Sequence, residues 1–157
     1  MSPVKVHRDP DLWKRQFVLA PMRAMLAAAN RDILAAVSEA GYPEVTIQHL
    51  NVFAFVPRDE GMRMSDLAER LQVTPGAVTQ LVQQLETMGL VERSPDPTDG
   101  RAVIVRPTPE AEAGYEAGRR RIAELEQRWK DLAGPRRWAT FVAVVGEIAQ
   151  AETGAAG

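Results

Sequence analysis

The chain contains no cysteine and only two histidines, His7 and His49. Disulfides, thiolate metal sites and thiol-based redox sensing are therefore excluded, and so is a histidine-rich metal cage. No apolar run approaches the roughly 18 residues that span a bilayer. The opening "MSPVKVHRDPDLW" carries no hydrophobic signal-peptide core. The expectation is a cytoplasmic protein with no membrane partner. Excess positive charge is also lacking. The formal charge is −2, so any DNA binding must come from local geometry rather than from a generally basic surface. Finally, there is no nucleophile–base constellation. The carboxylate pairs Asp96/Asp99 and Glu124/Glu126 have neither a supporting nucleophile nor a glycine-rich cradle. No catalytic residue, metal or cofactor is assigned, and the chain does not read as an enzyme.

What is present is an ordinary globular composition over 157 residues, enough for one small domain with attached helices. The tail through about Pro10 is polar. From Asp11 to about Ala40 the pattern is helical, with Leu12, Met22, Leu26, Ala29, Ile33 and Val37 as its apolar positions. Pro21 either kinks this helix or starts a new one. Gly41 is a C-cap candidate, and Thr46 an N-cap for a short helix with Ile47, Leu50, Phe53 and Val56 on its apolar side. "PRDEG" (57–61) is a turn, after which Ser65 can cap "DLAERLQ". Thr74 followed by Pro75 opens a helix that stops at Gly89, with Val78, Leu81, Val82 and Leu85 in one buried stripe.

Two strand-like pieces, 89–94 and 102–107, flank the polar loop between them. Thr108-Pro109 repeats the cap-plus-proline signal and opens a long helix to about Ala133. Its apolar seam is Tyr115, Gly118, Ile122, Leu125, Trp129 and Leu132. Gly134-Pro135 breaks it. A last helix puts Trp138, Phe141, Val142, Val145 and Ile148 on one face, and the final "TGAAG" is expected to fray. Trp13, Trp129 and Trp138 read as core or interface residues.

Helix, short turn, helix, hairpin between 65 and 107 is the order of a winged helix-turn-helix. The fold class is mainly α with a small two- or three-stranded β-wing. The expected division is an N-terminal helix within a dimerisation region (1–45), a winged helix-turn-helix DNA-binding domain (46–107) and C-terminal dimerisation helices (108–157). Long flanking helices with unmatched apolar stripes call for a homodimer.

"SDLAERLQVTPGAVTQLVQQLETMGLVERSPDPTDGRAVIVRPT" resembles the winged helix-turn-helix of the multiple-antibiotic-resistance regulator (MarR) family. The likeness covers about residues 46 to 111 and is most specific in the wing: Arg93, then Asp99-Gly100-Arg101, then a strand ending near Thr108. The resemblance implies that Arg101 is a wing-tip arginine entering the DNA minor groove. It also implies that Asp99 pairs with Arg93 and holds the wing in shape. Where the family usually has Leu-Thr and then a Gly three residues after the Thr, this chain has Pro107-Thr108 and Ala111.

The outer face of the helix after Thr74 carries Gly76, Ala77, Thr79, Gln80, Gln83, Gln84 and Thr87. It has no Lys or Arg, so it does not grip phosphates. Its glutamines can read adenine N6 and N7 in the major groove, its small residues admit close approach, and bare N–H groups at 75–77 can receive a phosphate. The DNA-binding set is therefore Thr74, Gly76, Ala77, Thr79, Gln80, Gln83, Gln84, Arg93, Asp99 and Arg101. Arg58, Arg63 and Arg106 are further candidates for phosphate. Acids and bases nearly cancel between 63 and 106, so modest non-specific affinity is expected, offset by a dimer on a pseudo-palindromic double-stranded operator. "RRR" (119–121) reads as a solvated helix face.

The same resemblance implies a small aromatic or hydrophobic effector between the dimer platform and the DNA-binding lobe, with Met22, Met25, His49, Phe53 and Tyr115 as candidate lining. Singly, Met and Phe at helical spacing are core residues more often than ligand contacts. The expected function is a sequence-specific dimeric transcriptional regulator, a repressor relieved by such an effector. The alternative is a winged-helix protein-interaction module without DNA binding, favoured by the acidic charge and the base-free helix.

Overall fold

The computed structural model describes residues 17–154. The expected polar tail through Pro10, with His7, and the positions Leu12 and Trp13 lie outside the described residues, as do residues 155–157 at the end of the expected fraying tail.

Helix α1 runs Leu19–Glu39. Pro21 falls in its first turn, where a backbone N–H has no intrahelical partner to lose. Gly41, at φ +106°, ends the helix in a conformation that suits glycine. Helix α2 is Ile47–Phe55. Thr46 Oγ1 accepts from His49 N, and His49 Nδ1 accepts from Thr46 N, a capping box with histidine in the place usually held by Glu or Gln. Strand β1 (Met62–Arg63) leads directly into α3 (Met64–Leu71), and α4 (Pro75–Thr87) follows after three residues. Ser65 does not cap α3: the helix already begins at Met64 and the Ser65 hydroxyl bonds Asp66 instead. Thr74 does cap α4, accepting from Ala77 N at 3.2 Å. The turn between the two helices is made by Gln72 in the left-handed region, at φ 54°.

Strands β2 (Val91–Pro95) and β3 (Val103–Pro107) complete an antiparallel sheet in the order β1-β3-β2, with Val105 opposite both Met62 and Arg93. Gly61 makes that third strand possible. Its φ is +71°, and a Cβ there would stand 2.5 Å from the Val105 carbonyl oxygen. A single 3₁₀ turn (Pro109–Ala111) precedes α5 (Glu112–Ala133). Thr108 does not cap it with its side chain. Its hydroxyl donates to Gly89 O at 2.6 Å and its N–H to Leu90 O, pinning the start of α5 to the end of α4.

The core lies between the helix-turn-helix and the sheet: Val52 of α2 and Val56 just after it, Leu67 of α3, Val78, Val82 and Leu85 of α4, and Leu90, Val91 and Val105. Burial of each large side chain contributes about 1.5–3 kcal/mol, enough to hold α4 rigidly with its opposite face in solvent. On the other side, α5 packs along α1. Gly118 lets Ile33 and Val37 approach to 3.6–3.7 Å from where its Cβ would be, and Asp32 meets Arg128 at 2.9 Å. Helix α6 (Pro135–Gly154) returns past Trp129, whose ring centroid is 6.2 Å from that of Trp138. The expected seam of α5 is only partly covered. Leu125 is buried, whereas Ile122 is 44% and Leu132 86% exposed. Leu19, Met22 and Leu26 of α1 and Phe141, Val142, Val145 and Ile148 of α6 are likewise exposed.

Candidate nucleic-acid interface

The outward face of α4 and the β2–β3 hairpin stand beside each other, and the chemistry each offers depends on which polar atoms are already used. In the first turn of α4, Pro75 has no N–H. Ala77 N donates to Thr74 Oγ1 and Val78 N to Thr74 O. Of the N–H groups expected at 75–77, only that of Gly76 remains for a phosphate. Thr79 and Thr87 donate their hydroxyl hydrogens to Pro75 O and Gln83 O, both at 2.8 Å. Each keeps only lone pairs to offer. Gln80 and Gln83 are exposed and have no side-chain partner among the described residues. Gln84 is different: its Oε1 is 2.9 Å from Nε2 of the buried His49.

The wing is braced by a clamp between residues too far apart in the chain for local spacing to pair them. Asp96, at 6% exposure, takes Thr98 N and Thr98 Oγ1 on Oδ1, both at 2.7 Å, and Arg63 Nε on Oδ2 at 2.6 Å. Arg63 Nη2 reaches Thr98 Oγ1 at 3.2 Å. The hydrogen bonds from Thr98, and then Arg63, hold the Asp96 carboxyl down at about 2 against the opposing effect of burial. The Asp96 bond raises the Arg63 guanidinium further above its ordinary value. The signal available in the sequence was the Asp-Pro-Thr spacing, an Asx-type turn in which the carboxylate folds back two residues on.

The implied Asp99–Arg93 pair does not form. Arg93 grips Glu86, at the end of α4, with Nε at 3.2 Å and Nη2 at 2.6 Å. Asp99 Oδ1 instead accepts Arg101 N at 3.1 Å within the loop. The cause is register: Arg93 lies opposite Val105, well back from the loop tip, while α4 ends alongside β2. The other arginines considered for phosphate are also engaged. Arg58 bonds Glu112 and Glu116 and lies 3.6 Å over the Tyr115 ring, and Arg106 donates to Ser94 Oγ at 2.9 Å. Of those five arginines, Arg101 alone has a guanidinium without a partner among the described residues. Of the "RRR" run, Arg119 and Arg121 pair with Glu116 and Glu124.

A separate apolar cavity of about 300 Å³ lies between α1, α2 and α5. Phe53 and Tyr115 line it with Ile33, Val37, Leu50 and Ile122, and Asn30, Asn51 and Arg119 supply polar groups. Met22, Met25 and His49 do not. Both methionines precede Asn30, the first lining residue of α1, by more than a turn. His49 shares the side of α2 that carries Val52 and faces the helix-turn-helix core, where it meets Gln84 of α4. Among the described residues no group of acids and histidines could hold a metal ion, and no helix is long and apolar enough to cross a membrane.

A helix-turn-helix whose second helix is framed by a three-stranded wing defines the winged-helix class. A sequence model of the MarR family matches residues 32–102. Over that segment the chain is similar to the MarR family. It is 29% identical over 104 residues to the HTH-type transcriptional repressor MdtR of Bacillus subtilis (strain 168), spanning 64% of this chain and 65% of that protein, just under two thirds of its length. An uncharacterized HTH-type transcriptional regulator of Mycobacterium leprae (strain TN) is 31% identical over 94 residues, which is 59% of this chain and 66% of that one. Among solved structures, the transcriptional repressor CouR bound to a 23-mer DNA duplex superposes with a TM-score of 0.71 at 18% identity, covering 88% of this chain and 96% of that one. A cysteine-to-serine variant of E. coli MarR complexed with operator DNA gives 0.69 at 22% identity, covering 88% and 98%.

Proposed function

We propose that the protein is a sequence-specific, dimeric, DNA-binding transcriptional repressor. One observation carries the reading: Arg101 is presented unpaired at the end of a braced wing, beside a helix face whose Gln80 and Gln83 side chains are free. A single arginine suffices for a narrow A·T-rich minor groove, because the groove supplies the negative potential. Free glutamine amides serve base reading in the major groove. The DNA-binding set is accordingly Gly76, Gln80, Gln83, Gln84 and Arg101 in contact, with Thr74, Ala77, Thr79, Arg93 and Asp99 shaping the elements that present them. The division into a DNA-binding unit (46–107) and two dimerising flanks (1–45 and 108–157) belongs to the same reading, supported by the exposed apolar residues of α1 and α6. The names of the relatives and the DNA bound in two structural neighbours point the same way.

The cavity between α1, α2 and α5 is the place for an effector. Its walls are apolar and aromatic, and the Asn30 and Asn51 amides suit a small aromatic ligand with a hydrogen-bonding group. A gel shift with the intergenic DNA upstream of the protein's own coding region tests the whole reading. The expected result is a complex competed by the same unlabelled DNA and not by random DNA, and weakened by a phenolic or aromatic carboxylate that raises the melting temperature. Equal competition by random DNA would overturn it.

A further inference from the structure

His49 is the buried histidine of the chain's described part, at 4% exposure, and both of its ring nitrogens are used. Nδ1 accepts the backbone N–H of Thr46 at 3.2 Å. A backbone amide can only donate, so Nδ1 carries no hydrogen and the neutral ring holds its hydrogen on Nε2. Nε2 is then a donor, and the group 2.9 Å from it on Gln84 must be the amide oxygen. The capping box of α2 therefore settles the histidine tautomer, and the tautomer settles which way the Gln84 amide points.

The consequence falls on the DNA-facing side of α4. The Gln84 oxygen is turned back toward α2, and its amide nitrogen, which has no partner among the described residues, is the end left outward. The bidentate reading of adenine expected of a glutamine needs both ends free. We propose that His49 is a positioning residue that makes Gln84 a hydrogen-bond donor only. Gln84 then favours guanine, whose major-groove edge carries two acceptors, and rejects cytosine, whose edge offers only an amino donor. Gln80 and Gln83, with no such tether, remain able to take adenine. This inference rests on the reading of α4 as the base-contacting helix.

The test is selection from a randomised double-stranded DNA library by the full chain and five variants, each checked for folding by circular dichroism. The position that loses discrimination in Gln84→Ala identifies the base read by Gln84. Wild type is expected to show guanine there. His49→Gln keeps both an acceptor for Thr46 and a donor for Gln84, and keeps guanine. His49→Glu keeps the acceptor but has no donor, and His49→Met has neither. Both are expected to move the preference toward adenine or cytosine, the bases with an amino group on that edge, by about 5-fold or more in relative enrichment. The double variant His49→Met/Gln84→Ala shows no further change at that position. A purely structural histidine would lower affinity for all sequences and leave the consensus unchanged, and that result overturns the proposal. So does a wild-type adenine or cytosine at the Gln84 position, a His49→Gln consensus that departs from wild type, or a His49 effect that persists without Gln84. If wild type enriches no sequence at all, the DNA-binding reading itself falls.

Discussion

Arg63 Nε and Asp96 Oδ2 meet at 2.6 Å although 33 positions separate them in the chain. The bond ties the short β1 strand to the root of the β2–β3 loop, so the wing is fastened to the start of the helix-turn-helix rather than standing on its own hairpin. Arg101, five residues past Asp96, is aimed from this fixed base.

The clamp makes the fold sensitive to acid. The Asp96 carboxyl titrates at about 2 in the folded chain against 3.8 in the open chain. A folded value below the unfolded one means that the carboxylate contributes stability above 3.8, and that this contribution is lost as pH falls through about 2. Urea melts between pH 5 and pH 2 are expected to show a steeper loss for wild type than for Asp96→Asn, on the order of one proton's difference in slope. Parallel slopes would remove the carboxylate from the acid response.

Arg101→Ala is expected to weaken operator binding by roughly 1–3 kcal/mol, about 5- to 150-fold. Its guanidinium has no hydrogen bond or ion pair among the described residues, so the melting temperature should not move. A gel-shift titration at moderate salt, paired with a thermal melt, separates the two effects. Unchanged affinity in a folded variant would place the groove contact elsewhere.

Two glycines flank the interface and should behave oppositely. Gly61 combines φ +71° with a Cβ position 2.5 Å from the Val105 oxygen and from Arg106 Cγ. Gly61→Ala is expected to cost more than about 2 kcal/mol and to free β1 from the sheet. Gly100 has open space around it and needs no left-handed backbone. Gly100→Ala should stay within about 0.5 kcal/mol of wild type. Chemical denaturation of both variants reads the contrast directly.

Helix α6 leaves Phe141, Val142, Val145 and Ile148 in solvent. Covering such residues in a second copy of the chain gains about 25 cal/mol per Å². Ile148→Glu is expected to shift the protein from dimer to monomer in sedimentation, with a loss of operator affinity of about 100-fold or more when one half-site is lost. A wild-type monomer at micromolar concentration would contradict the dimer.

The helices were legible because apolar spacing and capping are local. Val78, Val82 and Leu85 declare a stripe, and Thr46 and Thr74 announce the helices they cap. The strands of the hairpin were legible for the same reason. Strand β1 was not, since two residues carry no alternation and their pairing depends on Gly61 bringing them against Val105. Of the residues expected in an apolar cavity, Phe53 on α2 and Tyr115 on α5 do line one. The lining was misplaced at Met22 and Met25, because helical spacing alone does not say how far along α1 the contact with α5 extends.

By itself the sequence determined the winged-helix order, an α4 face without Lys or Arg, an arginine in the hairpin loop and the absence of cysteine, all properties of residue type and near-neighbour spacing. Only the tertiary structure decided which polar group meets which. It gave Arg93 to Glu86 instead of Asp99, closed Asp96 on Arg63, and turned the Gln84 oxygen toward His49. Each of these side chains had more than one plausible partner along the chain. The choice fell to strand register and to the packing of α2 against α4, because a hydrogen bond forms only where donor and acceptor are brought within about 3 Å.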